Sequence, residues 1–508
     1  MDFLIVTPPV CMPAEPAAGA FTLAAGLAGR GLEVGLFDLS LEMIHRTLSD
    51  PEIPGPAIER AVETLVGATE GYEPQEHRSA TGLLHARLKG FGTRWPGWTM
   101  TLMDLAAPGR VHDPGALAAA LADGGSPFAS LWDEVLLPVL ERERPKEVLI
   151  SLAYLSQLAA AIDLASYLRD RGTEPVVGGS LLNSLAHSGR GIDALRGSFP
   201  RMMVGDGMAL LAASDASGGG AAEHLTDRLA WPRLLSQQPY LSARPVVPIP
   251  LSTGCFWNRC AFCPDRGVPF VRVPPRALDD LFRGAPAEIR AARPLVHLLD
   301  SALPPAQLRR FLPIARDHGL SFYGFARPSR HLTPALLDEA AEAGCVMLQL
   351  GAESGSEELM ARYDKGFAPD EAEEVIQAAA AAGIRTYLYL LFGLPHETHA
   401  DRRQTLELLV RNAEAVDFLN LSVFNLPEQS GLTGEGAEHG IDVGEFPEDG
   451  VLRLYRPFVV DGVDPRAEAR DFLERELRSH DQIRPMVRRS PRWLRAAHNA
   501  MLRVPGRR

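Results

Sequence analysis

Residues 251–265 read LSTGCFWNRCAFCPD, and this stretch holds Cys255, Cys260 and Cys263, three of the five cysteines in the chain. Thiolates at positions i, i+5 and i+8 of one short loop can converge on a metal centre. A closed structural zinc site takes four ligands. The next nitrogen donors, His224 upstream and His297 downstream, stand at no finger-like spacing. Iron–sulfur cubanes normally take four cysteines. A cubane held by three leaves one iron open to another ligand, and chemistry can take place there.

The chain around the loop has a regular rhythm. VHLLDSALP, LSFYGFARP, CVMLQLGAESG, IRTYLYLLFGLP and DFLNLSVFNLP read as strands. PAQLRRFLPIARDHG, PALLDEAAEAG, PDEAEEVIQAAAAAG and ADRRQTLELLVRNAEA lie between them and read as helices. With the strand before Cys255, the pattern gives six strand–helix units. Parallel strands wrapped by helices in this number predict a partial (β/α)6, TIM-like barrel over residues 221–435.

Upstream, FLIVTPP is an apolar run stopped by two prolines, as suits a buried parallel strand. FTLAAGLAGRG has helical spacing and ends at Gly31, and LEVGLFDLS follows as a second strand. This βαβ opening predicts a Rossmann-like, doubly wound α/β domain over residues 1–220. Residues from about 43 to 143 are too long for a loop and read as a mostly helical insertion. Strands resume at EVLISLAYLS and EPVVGGS, with another short one at RMMVGDG. Ligands of such sheets sit at the carboxyl ends of the strands, which places Pro8, Pro9, Asp38, Ser151, Gly178, Gly179, Ser180, Gly205 and Gly207 there. SGGGAAE, residues 217–223, reads as the domain boundary. Residues 436–508 show no repeat.

Composition sets the outer limits. A net charge of −13 argues against broad nucleic-acid binding. No apolar run approaches the ~20 residues of a membrane helix. The start, MDFLIVTPPV, reads as a first strand, not a secretory signal. Odd, clustered cysteines do not form a secreted disulfide framework. The expectation is a cytoplasmic protein. Residues 482–508 carry eight arginines and no acid. Such a tail suits a solvated basic segment, or docking on an acidic partner or leader peptide. Only Lys89, Lys146 and Lys365 are lysines, against 48 arginines, which draws notice to each of the three.

The loop resembles the cluster loop of the radical S-adenosylmethionine (SAM) enzymes. Their commonest spacing is C-x3-C-x2-C with an aromatic before the last cysteine. Here Phe262 is that aromatic, and the first gap is four residues. GC-aromatic-W-x-x-C-x-F-C is similar to a variant found in members that carry a cobalamin-binding domain. The resemblance implies that Cys255, Cys260 and Cys263 bind three irons of a 4Fe-4S cluster, and that SAM chelates the fourth. It also implies SAM contacts at Asp300 in LLDS, at Arg327 in FARP, at Gly351, Glu353 and Ser354 in LGAESGS, and at Gly393 in the LLFGLPHET turn. The residues themselves leave other roles open. Asp300 suits a strand-end cap, Arg327 a rim ion pair, and Lys365 a solvated surface position. Cys11 and Cys345 read as ordinary buried cysteines.

TPPVCMPAEPAAGAF, SLAYLSQ and VVGGS resemble the first domain of the cobalamin-dependent radical SAM subfamily. That implies cobalamin held near Pro8, Pro9, Ser151, Gly178, Gly179 and Gly205, its corrin face toward the barrel. The D-x-H-x-x-G motif of methionine-synthase-type domains is missing before residue 220, and VGDGMALL has Met208 where an acid is common. The reaction implied is C-methylation of an unactivated carbon of a natural-product intermediate or peptide. Rearrangement, epimerisation, dehydrogenation or cyclisation without methyl transfer is the alternative, and a non-catalytic metal scaffold a remote one. An external electron donor such as a flavodoxin or ferredoxin is implied, with no nucleic-acid partner and no membrane span.

Overall fold

The computed structural model describes residues 1–67, 73–108, 112–205, 207, 224–434, 436, 440–446 and 450–491. The first sheet is built from β1 (Phe3–Thr7), β2 (Val34–Asp38), β3 (Glu147–Ser151), β4 (Val176–Gly178) and β5 (Arg233–Leu234). All pairs are parallel, in the order β4-β3-β1-β2-β5. Every residue of β1 and β2 is buried, because helices cover both faces. After β2 the chain crosses back over β1 to form β3. The strand order therefore reverses between β1 and β3, and a crevice opens at their carboxyl ends.

The insertion is mostly helical, as expected. It runs through helices Leu39–Ser49, Glu59–Val66, Pro74–Lys89 and Pro114–Gly124, with one small hairpin, Thr99–Met100 against Leu105–Ala106. The expected strand at RMMVGDG reduces to one bridge, Val177 to Met202. The glycines beside it suit turns better than a ladder. Residues 217–223 lie outside the described residues. The first sheet nonetheless gains β5 at residues 233–234, past the expected boundary, since a two-residue edge strand carries no periodic signal.

The second sheet has six parallel strands: β6 (Val246–Ile249), β7 (Leu295–Leu298), β8 (Ser321–Ala326), β9 (Cys345–Glu353), β10 (Arg385–Phe392) and β11 (Phe418–Val423). They follow in sequence order, so the sheet is a partial barrel with β6 and β11 as open edges. Side chains alternate between helices and lumen. Along β9, Leu348, Leu350 and Ala352 join the large core under the helices. Met347, Gln349, Gly351 and Glu353 take the opposite parity. Thr333, Ser356 and Thr398 cap the helices that follow, each accepting a backbone N–H through its hydroxyl.

Two features join the halves. Helix α1 (Ala18–Ala28) belongs to the first domain but packs on β6, so Phe21 and Ala24 share a core with Val247 and Ile249. The region after residue 436 also has a structural role. Phe472, Leu473, Ile483 and Met486 enter the barrel core, and Ser490 accepts the Leu419 N–H on β11. Most of the basic tail, residues 492–508, lies outside the described residues.

Candidate active site

The cysteine loop leaves β6 and crosses the carboxyl-terminal mouth of the barrel. Asp300, just past β7, holds its base. One carboxylate oxygen accepts the Leu251 N–H at 2.8 Å and the other accepts the Ser252 hydroxyl. Asp300 is 2% exposed, and burial pushes its carboxyl up to about 6. Both oxygens are thus engaged within the protein, and Asp300 caps the loop. Next to it, Ser301 donates to Asp265 at the far end of the loop, 2.8 Å away.

Mid-loop, Asn258 adopts positive φ and pins the return of the chain, bonding the Gly267 N–H and the Val268 carbonyl. The Trp257 indole donates to the Asp364 carbonyl at 2.6 Å. A Cβ on Gly366 would lie 1.9 Å from the Trp257 ring. Gly366 also has φ +76°, so only glycine permits this contact.

The three cysteines are free and partly buried. Burial raises the thiol pKa of Cys260, and that of Cys263 to about 12. Left alone, these groups stay protonated. A metal cluster with strong affinity for thiolate reverses that, since a coordinating thiol loses its proton outright. Two buried cations face the same space. Arg327 is 5% exposed, lies over the Trp257 ring at 4.3 Å and donates to the Lys365 carbonyl. Lys365, also 5% exposed, bonds Glu353 at 2.7 Å. Both lower the pKa of Cys260. Three soft ligands beside buried positive charge fit an anionic iron–sulfur cluster.

Lys365 is therefore no surface residue; the structure corrects that alternative. Among the described residues Arg327 makes no rim ion pair either: its guanidinium lies among Phe256, Trp257 and Phe367. Glu353 closes β9 at φ +60°, beyond a register shift after Gly351. A Cβ on Gly351 would sit 2.6 Å from Phe325 and 2.8 Å from the Glu353 carboxylate. Ser354, 1% exposed, spends its hydroxyl on Thr405 and the Ser356 N–H. It supports the turn and does not open onto the mouth. Gly393 has φ +76° and donates its N–H to Glu397, whose carboxyl burial raises to about 7.

At the first sheet, Pro8 and Pro9 follow β1, Ser151 closes β3, Gly178 closes β4 with Gly179 next to it, and the Gly205 N–H donates to Asn183 at 2.8 Å. Gln157, fully buried, donates to the Pro8 carbonyl and accepts the Ala153 and Tyr154 N–H groups. A Cβ on Gly179 would lie 2.3 Å from the Leu152 carbonyl, so glycine lets these loops close. The Thr7 hydroxyl at the end of β1 is buried without a hydrogen-bond partner among the described residues. An orphaned polar atom at the reversal point fits a crevice built to hold a group.

One cluster was not legible in the sequence. Glu15, from the proline-rich loop of the first domain, reaches the barrel lumen. It bonds His297 Nδ1 at 2.9 Å and accepts the Tyr323 hydroxyl at 3.2 Å, and His297 stacks on Tyr323 at 4.5 Å. His297 is thus engaged by Glu15. The available signal was an acid within a proline-rich loop and a histidine within an apolar strand. Gln349, 4% exposed on the lumen parity of β9, has an Nε2 without a partner among the described residues.

Comparison with known proteins agrees with this geometry. Residues 249–409 match the sequence model of the Radical SAM superfamily, from the end of β6 to the helix after β10. No curated protein matches the chain. Among solved structures, it resembles the radical SAM methyltransferase TsrM from Kitasatospora setae with cobalamin and a 4Fe-4S cluster bound. Identity is 14%, the TM-score is 0.52, and the match covers 93% of this chain and 85% of that one. It also resembles the cobalamin-dependent SAM radical enzyme OxsB with aqua-cobalamin bound, at 13% identity and a TM-score of 0.54, over 91% of this chain and 64% of that one. At such identities the likeness is one of fold, and it extends over both domains.

Proposed function

We propose that this chain, which belongs to the radical SAM superfamily and has the two-domain fold of its cobalamin-dependent members, is a corrinoid-dependent C-methyltransferase acting on an unactivated carbon. The observation that carries the reading is the pairing of two sites. Three partly buried free thiols stand beside Arg327 and Lys365 at the barrel mouth, and an orphaned Thr7 hydroxyl stands at the reversal point of the first sheet.

Cys255, Cys260 and Cys263 hold the 4Fe-4S cluster, and Glu353 with the Gly351 backbone receives SAM. The crevice along Pro8, Pro9, Ser151, Gly178, Gly179 and Gly205 receives the corrinoid. When bound, these groups supply an electron, a radical able to remove hydrogen from an unactivated C–H bond, and a methyl carrier. The protein's residues position and shield. Asp300 fixes the start of the cysteine loop, and Trp257 against Gly366 fixes its middle. Lys365 holds Glu353 in one orientation and adds positive charge beside the thiolates. Phe256, Phe262 and Phe367 surround the two cations and keep water from them. The substrate is a natural-product intermediate or a peptide, and an external one-electron donor reduces the cluster.

The test is anaerobic purification from cobalamin-fed cells, with iron, sulfide and corrinoid assayed together. Stoichiometric corrinoid beside a four-iron cluster is expected. Incubation with SAM and a reductant is then expected to give both S-adenosylhomocysteine and 5′-deoxyadenosine. A cluster without corrinoid overturns the methyl-transfer reading. The chain would then be a radical SAM enzyme that abstracts hydrogen only.

A further inference from the structure

We infer that Tyr154 is the side chain that faces the lower side of the bound corrinoid, the side turned toward the first sheet. This rests on the corrinoid reading above. A flat macrocycle seated on the carboxyl edge of a doubly wound sheet lies over the reversal point of the strand order. Here that point is the gap between β1 and β3, and Tyr154 is the third residue beyond β3.

The backbone under Tyr154 is fixed on every side. The Gln157 side chain accepts its N–H and ties it to Pro8. The Leu152 N–H donates to the Gly178 carbonyl at 2.7 Å. The Ser180 hydroxyl donates to the Ala153 carbonyl at 3.1 Å. Ser156 donates to the Val10 carbonyl at 3.2 Å. Above this braced backbone the Tyr154 side chain is 59% exposed.

Its ring stands beside the carboxyl edge of the first sheet, following β3. Desolvation raises its hydroxyl pKa first, and the charges of Cys11 and Glu15 raise it further. Glu15 continues from the same loop to His297 in the barrel, so Tyr154 stands where the first domain turns toward the lumen. An aromatic ring on a braced backbone offers an apolar face and a polar tip. That suits a macrocycle with a metal at its centre. The D-x-H-x-x-G motif is missing before residue 220, so no histidine from that motif takes the position.

The test uses the full chain with its cluster intact, and it reads binding and spectra, not turnover. Cob(II)alamin and hydroxocobalamin are the probes, with Tyr154→Ala and Tyr154→His as variants. Iron content is measured in each as a check on folding, since the cluster loop lies in the other domain. Tyr154→Ala is expected to bind hydroxocobalamin about tenfold more weakly, the upper range for a lost aromatic contact. Tyr154→His is expected to place an imidazole nitrogen next to the cobalt. Electron paramagnetic resonance of bound cob(II)alamin should then show a nitrogen splitting absent from the unaltered protein and altered by isotopically labelled histidine. Unchanged affinity in Tyr154→Ala, together with bound cob(II)alamin lacking that splitting in Tyr154→His, overturns the assignment. An unaltered protein that binds no corrinoid overturns the corrinoid reading and this assignment with it.

Discussion

Lys365 donates to Glu353 at 2.7 Å, and the two side chains are only 6% and 12% exposed. The pair crosses from the turn after helix Glu357–Arg362 to the end of β9. It places a carboxylate at the barrel mouth with a fixed orientation. Glu353→Gln leaves Lys365 buried without its anionic partner, and breaking a buried pair in this way is costly. The expected outcome is SAM affinity lowered by at least about tenfold with iron content unchanged, read by calorimetric titration and iron assay. Unchanged affinity removes Glu353 from the SAM site.

Replacing Cys255, Cys260 and Cys263 together with alanine removes every soft ligand of the loop. Iron and 5′-deoxyadenosine formation should both be lost. Persistent 5′-deoxyadenosine production in that variant contradicts the cluster assignment.

Gly366→Ala tests how the loop is shaped. The new Cβ collides with the Trp257 ring and forces a residue with a side chain into positive φ. Overpacking and strain together cost about 1–3 kcal/mol. Because Trp257 lies on the cysteine loop, incorporated iron should fall along with the unfolding midpoint. Full iron content in a destabilised Gly366→Ala would mean that the loop does not depend on this contact.

Asp300 predicts a pH dependence. Burial holds its folded pKa at about 6, above the ordinary 3.8 of an aspartate. The folded state therefore binds more protons than the unfolded state between these values. Its contribution to stability is largest below the unfolded pKa and declines as pH rises toward 6. Asp300→Asn should flatten that part of the stability profile, measured by denaturant titration from pH 4 to 7. Asp300→Ala leaves the Leu251 N–H and the Ser252 hydroxyl without their partner, at a cost of about 1–3 kcal/mol. An unaltered pH profile in Asp300→Asn would exclude Asp300 as its source.

Glu15→Leu probes the join between domains. It removes the Glu15 carboxylate from His297 Nδ1, at about 1–3 kcal/mol. Faster proteolysis around the proline-rich loop is expected, with the cluster still in place. Unchanged cleavage would mean that Glu15 does not hold the loop.

The sequence by itself determined the order of the barrel strands, the cysteine loop and the reversal in the first sheet. Those features are written locally, in apolar runs, Pro and Gly stops, and the spacing of three cysteines along one loop. The roles of Asp300, Ser354 and Lys365 were decided only by tertiary structure. A buried carboxylate spent on two backbone-proximal donors looks the same in sequence as one held open for a ligand. Lys365 reads as a surface residue until Glu353 and the aromatic rings close over it. Glu15 and His297 are 282 residues apart, and nothing local marks either as the other's partner. Burial and long-range hydrogen bonding are properties of the packed chain, so the fold was legible from the residues while the duties of individual side chains were not.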